Sequence, residues 1–551
     1  MTEYFDKDDI DRINERTACF RAAILRIFAF FQALVTVLLV FGGCSQKQDE
    51  LILKYNVASA AKTLDPQLAI GSTAVTIIEN CFEGLLRINN DGELECAAAE
   101  SYSVSSDGRI YIFTLRDGLT WSDGETKLTA RDFEFAFERL LSPQTASPYA
   151  GNYTCIKNAE AYLAGEKSAD TLGISAQGLT LTFVLEYANP YFPYMLAASA
   201  AMPCNEEFFT QSRGKYGKTI SDIIFNGPFA ANTYKDGRYY LLRRNKHYHT
   251  PPAAFGVNLY ITGESGLERI NSGKADIAKL DHGDAENIDA KNFDVLSYED
   301  ILWTIAFNTG SDAMHSRYLR LAMAQALDLE DAGSYLPQDS FRPARALIPS
   351  AVDILGSGYR ELAGESLALS CDPSAAKEYV NLSYGDYEGG FPKFTILCPD
   401  DDSFALLCGK LQREWQQNIA IFVNIERVEL SKLISRVHSG DYQLAILPLS
   451  LSYNSPAAFL GEYNTPENIC RYYCGADYVS TYSEALLASE PERAAQLFRS
   501  LEQLLIEDAV FIPLYYQTSS YAVNSEVSGL YLRPFSDTVF FGYARRAEPA
   551  K

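Results

Sequence analysis

The groups most able to do chemistry in this 551-residue chain are few. There are five histidines: His247, His249, His282, His315 and His438. None lies in a hydrolase or zincin motif. His247-x-His249 could hint at a metal, but no neighbouring Cys or carboxylate pattern supports it, and the pair reads as a surface or turn feature. Asp400-Asp401-Asp402 beside Pro399 suits a solvated loop better than an acid–base pair. No P-loop is present, so any ATP hydrolysis belongs to a partner protein. Of 11 cysteines, Cys470-x-x-x-Cys474 is the closest spacing. It lacks the second pair that a tetrahedral site needs. The cysteines beyond Cys44 number nine: Cys81, Cys96, Cys155, Cys204, Cys371, Cys398, Cys408, Cys470 and Cys474. An odd set cannot all pair, so buried free thiols or one local disulfide are expected. The expectation is a protein that is not an enzyme and holds no metal and no cofactor.

One thiol stands apart. Residues 27–41 form an uncharged apolar run, preceded by Arg21 and Arg26 and followed by Gly42-Gly43-Cys44-Ser45. Positive residues, a short apolar stretch and small residues before a Cys describe a signal peptide over 1–43; a spanning helix needs ~20 apolar residues. Cys44 looks like a lipoprotein cleavage site, so it is the expected lipidation residue, with 44–50 a lipid-anchored tether. Two acyl chains, at ~0.8 kcal/mol per buried CH₂, would hold the mature chain at the membrane. The segment before Arg21 departs from the usual leader by being long and acidic (Asp6, Asp8, Asp9, Asp11), and Phe41 stands where Leu is commoner. A membrane-embedded signal anchor is the alternative.

Composition narrows the partners. Net charge is −24, against the clustered Lys and Arg that phosphate neutralisation requires, so nucleic acid is excluded. Hydrophobic residues at 47% and charged residues at 21% fit a globular chain. With 35 Tyr and 31 Phe but 3 Trp, amphipathic rings are available to hold a ligand, although many globular proteins are Tyr-rich too.

The elements that must position such a site are mixed. Ile110-Tyr-Ile-Phe-Thr-Leu115 predicts a strand closed by Arg116-Asp117-Gly118, and Trp121-Ser122-Asp123-Gly124 a turn. Thr129 with Asp132 three residues on predicts a helix start, with Phe133, Phe137 and Leu140 on one buried face. Leu179, Leu181, Phe183 and Leu185 alternate with Thr180, Thr182 and Val184 as a half-buried strand. Ser489-Glu-Pro-Glu492 predicts a capping box opening a helix with Ala494, Leu497, Leu501 and Leu504 or Leu505 inward. Val510 to Tyr516 predicts a buried strand whose Pro513 marks an edge or strand end. The fold class is α/β or mixed α+β, with no periodic repeat.

From about Leu51 onward the chain resembles the family 5 extracellular solute-binding proteins, most of all the oligopeptide-binding members that serve ABC importers. Lys62-Thr-Leu-Asp-Pro-Gln67 and Phe82-Glu-Gly-Leu-Leu86 are similar to early landmarks of that family. A long ordered series follows, from Ala99-Glu100 through Tyr111–Gly118, Trp121–Gly124 and Thr129–Phe133 to Pro143–Ala150. Asn226-Gly-Pro-Phe229, Ala306-Phe-Asn-Thr309 and Ile512-Pro-Leu-Tyr-Tyr516 complete it. The resemblance implies a two-lobed periplasmic-binding-protein-like fold with an additional inserted domain, three domains around a cleft. Lobe I would take 51–88, 216–300 and 516–551, the inserted domain II 89–215, and lobe III 301–515. Several crossing strands would join the lobes, which close over the ligand.

The resemblance also places the ligand contacts. A binder of many peptides uses the backbone that all peptides share. The implied contacts are Ile70, Gly71 and Ser72; Tyr149; Leu449, Ser450, Leu451 and Ser452; and Tyr516 and Gln517. Oligopeptide-binding relatives carry Asp where Ser452 stands, to pair with a peptide's α-amine. Leu430 replaces an expected aromatic residue, and Gln517 the third residue of a Tyr-Tyr-Tyr run. The cleft therefore reads as remodelled. The implied partners are a peptide or other small solute, ABC permease subunits with a separate ATPase, and the membrane through the lipid anchor, with the chain itself a monomer. A non-peptide solute on the same fold, or a surface sensor or host-contact lipoprotein, stays open.

Overall fold

Strand β1 (Ile52–Val57) opens the chain's folded body in the computed structural model, and helix α1 (Ser72–Cys81) follows it. The structure describes residues 50–547 except 90–92, 282, 330–335, 337–339, 365–366, 450, 452–453, 465–467, 473–474 and 534–537. The leader, Cys44, the tether up to 49, Ser450, Ser452 and Cys474 thus lie outside the described residues. Next come β2 (Ala99–Val104), β3 (Ile110–Leu115), α2 (Ala130–Leu140), β4 (Ile174–Gln177), β5 (Thr180–Val184) and the one-turn α3 (Phe192–Met195). After them run β6 (Phe229–Lys235), β7 (Tyr239–Arg244), β8 (Gly256–Ile261), β9 (Ile277–Leu280) and the long β10 (Phe293–Phe307). The last group is β11 (Phe341–Pro343), β12 (Phe394–Pro399), α4 (Asp402–Ile419), β13 (Val423–Val428), β14 (Leu444–Leu449), α5 (Pro456–Leu460), α6 (Pro491–Glu507) and the long β15 (Phe511–Asn524).

Among the described residues, eleven strands form one mixed sheet in the order β13-β12-β14-β10-β15-β9-β1-β8-β7-β6, with β11 also on β15. The fold is mixed α/β, as the element reading implies. Two strands make the sheet continuous. β10 and β15 pair antiparallel from Phe293↔Asn524 to Ala306↔Phe511, a ribbon about 45 Å long at the usual rise per residue. Its first half joins β9 and the lobe I strands, and its second half joins β14 and the lobe III strands. The joins implied at 300/301 and 515/516 thus fall inside strands.

Period-two alternation decides what each face of the ribbon buries. Leu302 and Ala306 pack into one lobe III cluster with Ala445 and Leu447 of β14. Trp303, Ile305 and Phe307 pack into the cluster on the other face with Leu444 and Ile446. Residues 89–215 make their own antiparallel sheet, β2-β3-β5-β4. Alternation along β3 turns Tyr111, Phe113 and Leu115 inward and leaves Ile110 and Ile112 exposed. These inner residues belong to the same apolar cluster as β1 and α1, so the insert shares lobe I's core. The capping box at the start of α2 forms, with Asp132 accepting from the Thr129 N–H at 2.8 Å, and Phe133, Phe137 and Leu140 are fully buried.

Two local expectations need correction. The N-cap of α6 is Glu490, not Ser489; no side-chain cap bond forms, and Pro491 with its pre-set φ opens the helix. Leu505 faces inward and Leu504 outward. Pro513 marks neither an edge nor a strand end. It sits inside β15, at a register break where Tyr515 pairs with Trp303 but Pro513 pairs with Thr304. A bulge removes a ladder position, so a residue without an N–H is tolerated there. Thr304 Oγ1 donates to the Ile512 carbonyl at 2.8 Å beside it. The second break leaves Asp300 as the extra residue of β10, buried and accepting from Ser519 Oγ at 2.9 Å.

The segment that lies against the middle of β15 is held by one carboxylate. Glu502 of α6, fully buried, accepts from the Leu347 and Ile348 N–H groups at 2.6 and 2.9 Å, from Tyr359 Oη at 3.1 Å and from Arg360 Nη2 at 2.5 Å. Glu502→Ala strands the Arg360 charge and two N–H donors in the core. The expected loss is about 3–5 kcal/mol in chemical unfolding, and a loss within error of zero would show that this segment is fixed by other contacts.

Candidate functional site

The Leu64–Ala69 segment is tied down by buried polar groups. Asp65 accepts from Arg139 Nη2 at 2.5 Å and from the Gln67 N–H at 3.1 Å. Arg139, on α2, also donates to Gln67 Oε1 at 2.6 Å, and its guanidinium lies 4.1 Å from the Phe209 ring centre and 5.2 Å from that of Tyr216. Gln67 Nε2 donates to the Ala200 and Met202 carbonyls. The Leu64 N–H donates to the Gly217 carbonyl, and at Gly217 only glycine fits: φ is +71°, and a Cβ would lie 2.3 Å from the Asp65 nitrogen. Ser147 Oγ donates to the Gln67 carbonyl and Tyr149 Oη to the Ala69 carbonyl, at 2.6 and 2.5 Å. Burial lifts the Tyr149 hydroxyl above the usual tyrosine range, so it stays a neutral donor.

Where these anchors stop, the chain projects. Ile70 is 58% exposed, against 1% for Ala69. Neither its N–H nor its C=O is bonded within the described chain. Gly71 has φ +92° and open space around its α-carbon, and Ser72 is the first residue of α1. A fixed backbone with free donors and acceptors can pair with another extended backbone. The structure therefore brings Tyr149 to the Ile70–Ser72 segment, with the Tyr149 hydroxyl holding that segment's base.

The remaining implied contacts lie at the middle of the ribbon. Leu302 of β10 pairs with Leu449 of β14 on one side and Tyr516 of β15 on the other. The ladder between β14 and β12 ends at Ala445, so Leu447–Leu449 has a strand neighbour on one side only among the described residues. Leu451 is buried. The chain is pinned again at Asn454, which accepts from the Asp353 N–H and donates to the Asp353 carboxylate, both at 2.9 Å. Tyr516 is 1% exposed; its hydroxyl donates to the Ala346 carbonyl at 2.8 Å, and Arg342 lies over its ring. In this arrangement Tyr516 shapes the ribbon from below the surface. Gln517 Oε1 accepts from Trp303 Nε1 at 2.6 Å. Leu430 opens a helix and packs on a lobe III cluster.

The other groups weighed for chemistry have structural occupations. His249 Nε2 is 2.8 Å from Glu83, which also takes bonds from Arg87 and Tyr248. His247 packs where a Cβ on Gly124 would stand. Asp401 caps α4, while Asp400 and Asp402 pair with Arg427. The eight described cysteines beyond the leader are free thiols. Sequence reasoning did not find Arg139, Gln67 or Asp353, because each acts through a partner far away in sequence.

A family model described as bacterial extracellular solute-binding proteins, family 5, middle, matches residues 93–469. The oligopeptide-binding protein of Bacillus subtilis (strain 168) is 27% identical over 515 residues, covering 91% of this chain and 93% of that protein. A Listeria monocytogenes oligopeptide-binding protein bound to peptide superposes with a TM-score of 0.76 at 22% identity, covering 91% of this chain and all (100%) of that one. The Escherichia coli murein tripeptide-binding protein gives 0.76 at 23% identity (91% of this chain, 99% of that one) in one structure. Its unliganded open form gives 0.67 (90% and 98%).

Arg139→Met would leave the Asp65 carboxylate buried without its cation. The expected cost is about 3–5 kcal/mol in urea unfolding, with part of it returned by adding Asp65→Leu. A single-variant loss under about 1 kcal/mol would mean that the Leu64–Ala69 segment does not depend on this pair.

Proposed function

Because the chain belongs to the bacterial extracellular solute-binding proteins of family 5, we propose that it captures peptides between its two halves and delivers them to an ABC permease. The observation that supports this most is the Ile70 backbone, anchored from beneath through Ala69 yet unpaired among the described residues, together with the half-open edge of β14 at Leu449. Backbone pairing is indifferent to side chains, which suits a protein that accepts many peptides. The β10–β15 ribbon, bulged at Asp300, is the natural hinge, since a bulge bends and twists a strand while leaving the flanking ladders intact. Ile70, Gly71, Ser72, Leu449, Ser450, Leu451 and Ser452 are the proposed backbone contacts, and Gln517 lines the hinge between them. In this reading the mature chain is exported, anchored through acylated Cys44 and monomeric, and a separate ATPase powers uptake.

Ser452 is the reason to hold a second reading, capture of a non-peptide solute. A ligand ammonium buried without a carboxylate is costly by several kcal/mol, and a solute with no free amine avoids that cost.

Native mass spectrometry of the purified protein separates the two: a ladder of co-purified short peptides is expected, whereas a single non-peptide species would sink the peptide reading. Ser452→Asp is expected to tighten peptide binding, by about tenfold if one charge-assisted bond is regained. No gain would show a deeper reorganisation of the cleft. For the anchor, Cys44→Ser should move the protein from the membrane to the aqueous fraction and abolish incorporation of a labelled fatty acid. Retention at the membrane would favour an uncleaved signal anchor.

A further inference from the structure

Two adjacent residues of the insert enter different cores. Asn189 sets the turn that separates them: its side chain accepts from the Tyr191 N–H at 3.0 Å, and its carbonyl accepts from the Phe192 N–H and from Tyr111 Oη. Phe192 turns into the insert, fully buried, with its ring 5.2 Å from that of Phe183. Tyr191 turns the other way. It is 2% exposed, and among the described residues it is the one numbered below 300 in the lobe III cluster that it joins. Its ring meets Phe498 of α6 edge-on at 6.1 Å. Its hydroxyl lies beside Ser455 but makes no well-aligned hydrogen bond. Ser455 caps α5, accepting from the Ala457 N–H at 3.2 Å, and directly follows the Leu449–Asn454 segment.

From this geometry we infer that Tyr191 is a positioning residue that latches the closed form, coupling closure to the strand that meets the ligand. The inference rests on the proposal of solute capture between the lobes. A ring donated by one lobe to the other's core is buried only when the lobes are together, so it stabilises the closed state and not the open one. Apparent ligand affinity scales with the fraction of molecules in the competent state. The ring carries the effect, because the hydroxyl makes no well-aligned hydrogen bond.

The test compares Tyr191→Ala, Tyr191→Phe and, as a core control, Phe192→Ala in the full mature chain. Small-angle scattering and thermal unfolding are measured with and without a pool of synthetic tri- to pentapeptides. In Tyr191→Ala we expect a ligand-free Tm within about 2 °C of wild type, at least about tenfold weaker peptide binding and a larger radius of gyration with peptide present. Tyr191→Phe should match wild type, and Phe192→Ala should lower the ligand-free Tm clearly. Two results would overturn the latch: a ligand-free Tm loss in Tyr191→Ala equal to that of Phe192→Ala, or binding and closure equal to wild type. If wild type binds no peptide, the peptide reading falls. The latch is then decided with the small-molecule fraction released from unfolded wild type as the probe: a larger radius of gyration in Tyr191→Ala with that fraction present supports it, and an equal radius refutes it.

Discussion

The antiparallel pairing of β10 with β15 is the constraint on which everything else rests. A single ribbon runs from the lobe I ladder at Ile277–Leu280 to the lobe III ladder at Leu444–Leu449. Two register breaks interrupt an otherwise regular ladder, at Asp300 and between Trp303 and Thr304. A side-chain bond lies beside each: Ser519 Oγ donates to the Asp300 carboxylate and Thr304 Oγ1 to the Ile512 carbonyl.

The candidate site is built by the opposite device. Around Asp65 and Gln67, buried polar groups are satisfied one after another by Arg139, Ala200, Met202, Ser147 and Tyr149. Such a network stabilises one geometry because any shift leaves a desolvated group unpaired. The rigidity ends abruptly at Ile70. Ile70 itself makes no backbone bond among the described residues, whereas the Gly71 carbonyl already accepts from the Val75 N–H of α1 at 3.1 Å.

Two neighbouring aromatic residues join different cores. Phe192 and Tyr191 are neighbours in sequence, yet one stabilises the insert and the other meets Phe498 of lobe III. The side chain that reaches across lands next to Ser455, at the end of the segment that begins with Leu449.

The sequence by itself determined the local elements with one-sided burial. Alternation revealed β3 and β5, and the Thr129–Asp132 box with Phe133, Phe137 and Leu140 revealed α2, because those patterns depend on neighbours within a few residues. The ordered landmarks from Ala99 to Ala150 were enough for the family, and so for the two-lobed α/β plan. Other features were hidden. β10 carries Asp294, Glu299 and Asp300, which masks a strand: Asp294 lies on its exposed part, and Asp300 is buried at the bulge against Ser519. Pro513 reads as a strand end, and only the bulge against Thr304 removes the need for its N–H. Tyr516 reads as a cleft residue, but the loop at Ala346–Ile348 takes its hydroxyl and buries it. Arg139 is silent in sequence because its partners, Asp65 and Cys204, are 74 and 65 residues away. Period and capping are short-range and therefore legible. Which side chains meet across a sheet, a lobe or a bulge depends on contacts between residues hundreds of positions apart, and only the folded chain decides them.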